Sequence, residues 1–187
     1  SLVGPSRMSR RVRVPLPGQD DLPDDYQYLL DEDALGERNV LCAIGNNPPL
    51  LQAYMRYGTA LWEDAGLPAR DVEFVILAVA RALRSEYEWQ QHVELGREAG
   101  LSTETIRALG TDDHEAFDGR RRVLLDYVGA FLDGDVSDAD HAALVAEFGE
   151  STAVGVAMLV AHYLTTARLL DAWNVPVEGE FVGWRPE

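Results

Sequence analysis

The sequence predicts an all-α protein, and three observations carry that expectation. From residue 26 onward, apolar residues recur at three- and four-residue spacing, the period of a helix with one buried face. No stretch alternates apolar and polar residues as a half-buried strand would. Serines and prolines open the periodic stretches and glycines close them, which is how helix ends are written in sequence.

Residues 1–25 are rich in Pro, Gly, Asp and Arg and lack apolar periodicity. They read as an extended arm that would gain order against a neighbouring subunit. Met8-Ser9-Arg10 reads as a natural start, making residues 1–7 a cloning remnant. Residues 26–187 then form one helical domain. A short helix is expected within 26–45, ending near Gly45-Asn46-Asn47. Pro48-Pro49 opens a second helix to about Ala65, stopped by Gly66. A third runs from about Ala69 to Arg84, and its centre, Phe74-Val75-Ile76-Leu77-Ala78-Val79-Ala80, is apolar all round and so belongs in the core. Ser85 caps a fourth helix that stops at Gly100, and Ser102 caps a short fifth to Leu109. Residues 113–133 form an amphipathic helix on Val123, Leu124, Tyr127, Val128 and Phe131. Ser137 caps a helix to Phe148, and Ser151 caps the last, to Trp173. Ala153 to Ala167 is almost wholly apolar, but it is short for a membrane span, contains His162 and is followed by Arg168, so a buried helix is expected.

Composition narrows the function. A net charge of −16 repels phosphate, so nucleic acid and anionic membranes are not expected partners. The single cysteine, Cys42, excludes an internal disulfide, a Cys-x-x-Cys pair and a thiolate zinc site. The four histidines, His92, His114, His141 and His162, show no metal-ligand spacing on one helix, so no metal is expected. The N-terminal arginines lead into no apolar core, and a cytoplasmic protein is expected.

Chemistry concentrates in Ser85-Glu86-Tyr87-Glu88-Trp89-Gln90-Gln91-His92, just after the buried helix. Residues four apart share a helix face, so Glu88 and His92 point the same way, and a carboxylate beside an imidazole can move protons. Glu73 is the only charge between Asp71 and Arg81. It sits where desolvation would favour a proton-transferring carboxyl, or where it simply complements the helix dipole. Glu88 has an equally plain structural role, because Ser85-x-x-Glu88 is a capping-box pattern. His92, Tyr87 and Trp89 can equally be packing residues.

The segment Pro68 to Leu109, with Glu73, Ser85-Glu86-Tyr87-Glu88-Trp89, His92 and Ala99-Gly100-Leu101-Ser102, resembles the carboxymuconolactone decarboxylase family, whose wider group includes the alkylhydroperoxidase D proteins. The likeness continues through Val136-Ser137-Asp138, Glu147-Phe148-Gly149-Glu150 and Ala167-Arg168-Leu169-Leu170 to Val175-Pro176, and covers most of residues 40–178. It implies an alkylhydroperoxidase D-like helical bundle. In the peroxidase branch two redox cysteines lie three apart, with a histidine four beyond the second and a glutamate in the preceding helix. Those cysteine positions fall on Ser85 and Glu88 here, while the histidine and glutamate fall on His92 and Glu73. Serine and glutamate cannot exchange disulfides, so the resemblance is to the branch lacking the cysteine pair. Cys42 alone has no resolving partner.

The resemblance implies a cofactor-independent lyase of aromatic catabolism that decarboxylates or otherwise processes a small carboxylated lactone or related oxygenated acid by proton transfer. Glu73, Glu88 and His92 are then the candidate catalytic residues. Ser85, Tyr87, Trp89, Arg84 and Arg81 are the candidate substrate contacts, the two arginines as a clamp for a carboxylate or as structural partners of nearby acids. Arg84 stands where the family pattern leads us to expect a smaller residue. The family also implies a homo-oligomer, a trimer or hexamer. The alternative is a non-catalytic oligomer that binds a small molecule or a protein.

Overall fold

A computed structural model describes residues 11–187, so the expected start at Met8 and the stretch 1–7 lie outside the described residues. Within them all regular structure is helical. The α-helices are α1 (Asn39–Ile44), α2 (Pro48–Asp64), α3 (Ala69–Ala82), α4 (Glu86–Glu98), α5 (Thr103–Gly110), α6 (Gly119–Asp133), α7 (Asp138–Phe148) and α8 (Glu150–Trp173), with short 3-10 stretches at Gln19–Asp21, Asp24–Leu30 and His114–Ala116. The short helix expected within 26–45 and ending near Gly45 is α1. Two boundaries differ from expectation. The helix expected from residue 113 begins at Gly119, because a 3-10 turn and the extended residues Phe117 and Asp118 precede it. Ser151 does not cap α8: the helix is already under way there, with the Ala153 amide donating to the Gly149 carbonyl.

Two compact units are present, one made of the chain up to Gly58 together with Arg168–Glu180, the other of Thr59–Ala167 together with Phe181–Glu187. In the first, Leu22, Leu29, Leu30, Val40 to Ile44, Leu51 and Leu170 are buried. Its N-terminal stretch is tied to its own chain rather than waiting for a neighbour. The Arg13 amide donates to the Trp173 carbonyl (2.8 Å), the Asn46 amide group to the Pro15 carbonyl (2.8 Å) and the Asn174 side chain to the Arg11 carbonyl.

The second unit is built round α3. Phe74 through Ala80 are all buried, and α4, α5 and α6 pack on that helix while α7 packs on α6. Each large aliphatic or aromatic side chain removed from water here contributes about 1.5–3 kcal/mol. α8 passes for a membrane span by length and composition, but half of its most apolar stretch is buried within the fold. Ala153, Val156, Leu159, Val160 and Tyr163 place it in this unit's core. Gly155 permits that approach, since a side-chain carbon there would stand 2.3 Å from the Ala65 carbonyl oxygen. Residues 181–187 strap α4 and α5: the Trp89 indole donates to the Gly183 carbonyl (2.9 Å), Trp184 packs against Trp89, and Arg107 donates to the Pro186 carbonyl.

The end of α3 sets the course of the chain into α4. The Ser85 amide donates to the Ala80 carbonyl and the Arg84 amide to the Arg81 carbonyl, the two bonds of a Schellman motif. That motif needs a left-handed residue, and here it is Arg84, at φ 52. Glycine is the usual occupant, and an L-residue in this conformation costs about 1 kcal/mol. Replacement by glycine, Arg84→Gly, should therefore raise stability by about 1 kcal/mol. Urea unfolding of the two proteins checks this; a less stable glycine variant would mean that the Arg84 side chain contributes more than its backbone costs.

Candidate active site

With α3 closed by that motif, α4 folds back along it, and a carboxylate of one helix meets an imidazole of the other. The Glu73 Oε2 lies 2.7 Å from His92 Nδ1. Both side chains are nearly sealed, at 12% and 9% exposure. A carboxylate can only accept, so against an ionised Glu73 the His92 Nδ1 must carry the hydrogen. The second ring nitrogen, Nε2, is then the one left to take or give a proton.

α8 supplies a third side. Tyr163 stands edge to face against His92, with ring centroids 5.2 Å apart and planes at 90°. Its hydroxyl accepts a 2.7 Å hydrogen bond from the Trp62 indole N–H, near the end of α2. His162, next along α8, is 6% exposed. Burial, reinforced by repulsion from a charged His92, pushes its imidazole down to about 4. His162 is thus neutral at pH 7.

The other expected residues fall as follows. Ser85 is the N-cap of α4, its Oγ accepting from the Glu88 amide at 3.5 Å. Glu88 itself is 2% exposed, a depth that a surface capping glutamate does not need. Tyr87 is buried on the same helix, and Trp89 is fully enclosed, held by Gly183 and Trp184 as a core residue. Arg81 is taken up structurally: its Nε donates to the Gly110 carbonyl (2.7 Å), its guanidinium pairs with Asp112 (2.8 Å), and it lies 5.0 Å from the centre of the Trp184 ring. Arg84 is exposed at the turn between α3 and α4. Glu73 and His92 thus meet between α3 and α4, Glu88 is buried one turn before His92 on α4, and Arg81 and Trp89 are bonded to neighbouring parts of the fold.

Sequence reasoning passed over Trp62, Tyr163 and His162 as site residues. For α8 the signal was present, since His162-Tyr163 interrupts an apolar run. For Trp62 there was none: a tryptophan on an amphipathic helix reads as packing.

The model of the carboxymuconolactone decarboxylase family matches residues 48–119, the stretch that contains Glu73, Glu88 and His92. Among curated proteins none matches the sequence. Among solved structures, the alkylhydroperoxidase AhpD core of an uncharacterized peroxidase-related protein from Ralstonia eutropha superposes with a TM-score of 0.80 at 22% identity, covering 94% of this chain and 98% of that one. An uncharacterized peroxidase-related protein from a Silicibacter species gives the same TM-score, 0.80, and identity, 22%, over 93% and 96% of the two chains. The debrominase Bmp8, solved as a single-residue variant with 2,3,4-tribromopyrrole, matches with a TM-score of 0.76 at 14% identity, over 91% and 94%. At these identities the likeness establishes the alkylhydroperoxidase D-like all-α fold and nothing finer. Where the peroxidase branch of the family carries its cysteine pair, this chain has Ser85 and Glu88. Its one cysteine, Cys42, is buried, and burial together with Glu37 and Glu178 pushes its thiol up, away from the reactive thiolate.

The neutral His162 has a consequence for stability. An unfolded chain protonates this histidine near 6.5, whereas the fold resists doing so until about 4. Above pH 6.5 both states are neutral and nothing changes; as pH falls through that window the unfolded chain binds the extra proton and stability is lost. The difference corresponds to about 3 kcal/mol. Urea unfolding at pH 7 and pH 4 should show the wild type losing about that much more than His162→Leu. Equal losses in the two proteins would mean that His162 is not the titrating group.

Proposed function

We propose that this protein is a cofactor-independent acid–base enzyme of the decarboxylase type, acting by proton transfer on a small carboxylated lactone or related oxygenated acid. The 2.7 Å contact between Glu73 and His92, in a nearly sealed setting between α3 and α4, carries the proposal. The family match over the same residues supports it, and the family's namesake reaction is such a decarboxylation.

The reaction asks for two things that this pair can supply. Loss of carbon dioxide from an unsaturated lactone leaves its electron pair in the conjugated carbonyl system as a dienolate, which must be stabilised and then protonated at carbon. Protonated His92, braced by Glu73, offers a positive charge to the dienolate and a proton from Nε2. Giving up that proton leaves neutral His92 with its Nδ1 hydrogen still on Glu73, ready to be recharged from water. Glu88 is buried one helical turn before His92 on the same helix and is the third candidate for the proton-transfer group. Arg84, exposed at the turn between α3 and α4, is the proposed contact for the substrate carboxylate.

Glu73→Gln and His92→Ala, assayed against carboxylated and uncarboxylated lactones, should each lower turnover on the order of a hundredfold or more while remaining folded. Turnover unchanged in both variants would remove the pair from the mechanism.

A further inference from the structure

A hydrogen bond to Nδ1 fixes an imidazole only if the ring is kept from turning over about its Cβ–Cγ bond. A half-turn of that kind would put Cδ2 where Nδ1 had met Glu73 and exchange the places of Nε2 and Cε1. Glu73 by itself cannot forbid it, since the carboxylate touches one edge of the ring. The face-on neighbour is Tyr163, 5.2 Å away and perpendicular. Its own ring is held at the far end, where the Trp62 N–H donates to the hydroxyl at 2.7 Å. Phenylalanine would pack as well as tyrosine in an apolar helix; the hydroxyl adds the bond from Trp62. Gly155, eight residues earlier, allows α8 to lie against Ala65 and so brings α8 within reach of the end of α2.

We propose that Tyr163, anchored by Trp62, is a positioning residue for His92: it holds the ring with Nδ1 on Glu73 and thereby selects Nε2 as the nitrogen that exchanges protons with the substrate. Neither residue touches the reacting atoms. Their effect passes through the imidazole alone, as a restriction on its orientation and tautomer. The inference rests on the acid–base role given to His92 above, but its consequence is visible in the free protein without any substrate.

The imidazole nitrogens of His92 can be read by long-range proton–nitrogen correlation on 15N-histidine protein at pH 8. A hydrogen held on Nδ1 sets the two nitrogen shifts far apart, while a ring that turns and exchanges tautomers averages them. The wild type should show the wide separation, with the protonated shift on Nδ1. Tyr163→Leu, which removes both ring and hydroxyl, should lose most of that separation. Tyr163→Phe and Trp62→Phe, which keep the ring and release its anchor, should lose a smaller part in the same direction. Thermal unfolding of each variant separates this from a general loosening, because a merely structural Tyr163 would lower the melting temperature and leave the His92 shifts alone.

Full separation in folded Tyr163→Leu would overturn the proposal. If that variant does not fold, full separation in Trp62→Phe overturns it equally. The two readings fail separately: turnover lost in Glu73→Gln with unmoved shifts in the Tyr163 variants rejects positioning and keeps the acid–base role. Collapse of the separation in a protein that turns over no lactone supports positioning and rejects the lactone reaction.

Discussion

A carboxylate and an imidazole facing each other almost out of water is the constraint around which this site is arranged. Such a pair is costly to bury singly, because either partner without the other leaves a polar group that has lost its water. Glu73 and His92 meet that cost by bonding to each other at 2.7 Å through the Nδ1 edge of the imidazole. The same arrangement makes a proton easier to place. His162, buried on α8 beside Tyr163, is driven neutral chiefly by its burial.

Helix endings produce the encounter. α3 stops in a Schellman motif whose left-handed residue is Arg84, and Ser85 at once caps α4. Two helices joined by so short a turn must run back along one another, which carries the second turn of α4 to the beginning of α3. Further along, Asp112 takes the same left-handed role after α5 and also receives Arg81 from the end of α3. Arg81 therefore joins two helix ends and the Trp184 strap, a structural task that its charge and length suit.

The fold was legible because its signals are local. Ser85, Ser102 and Ser137 all cap the helices that their positions announced, and the apolar run from Phe74 to Ala80 is buried throughout. Boundaries failed where a local signal was overridden. Ser151 looks like a cap, yet Gly149 had already turned the chain, and the helix was under way before the serine was reached. Of the site, Glu73 and His92 could be picked out because charge is conspicuous beside an apolar helix. Trp62 and Tyr163 could not, because their hydrogen bond joins residues 101 positions apart and neither one is unusual alone. Arg81 and Trp89 have partners that the sequence did not announce, Gly110, Asp112 and Trp184 for the arginine and Gly183 and Trp184 for the tryptophan, because those partners lie far along the chain.

Ser85 and Glu88, at the positions where the peroxidase branch of the family this chain resembles carries cysteines, cannot exchange disulfides, and the proton-transfer role proposed above rests on the acid–imidazole pair. That inference depends on Glu73 and His92 acting as one unit. A double-mutant cycle measures this directly, with urea unfolding at pH 7 of the wild type, Glu73→Gln, His92→Asn and the double variant. Direct bonding should give a coupling energy of about 1.5–3 kcal/mol, the range for hydrogen bonds to charged groups. Single effects that add to within about 0.5 kcal/mol would contradict it, for the two side chains would then be neighbours without being partners.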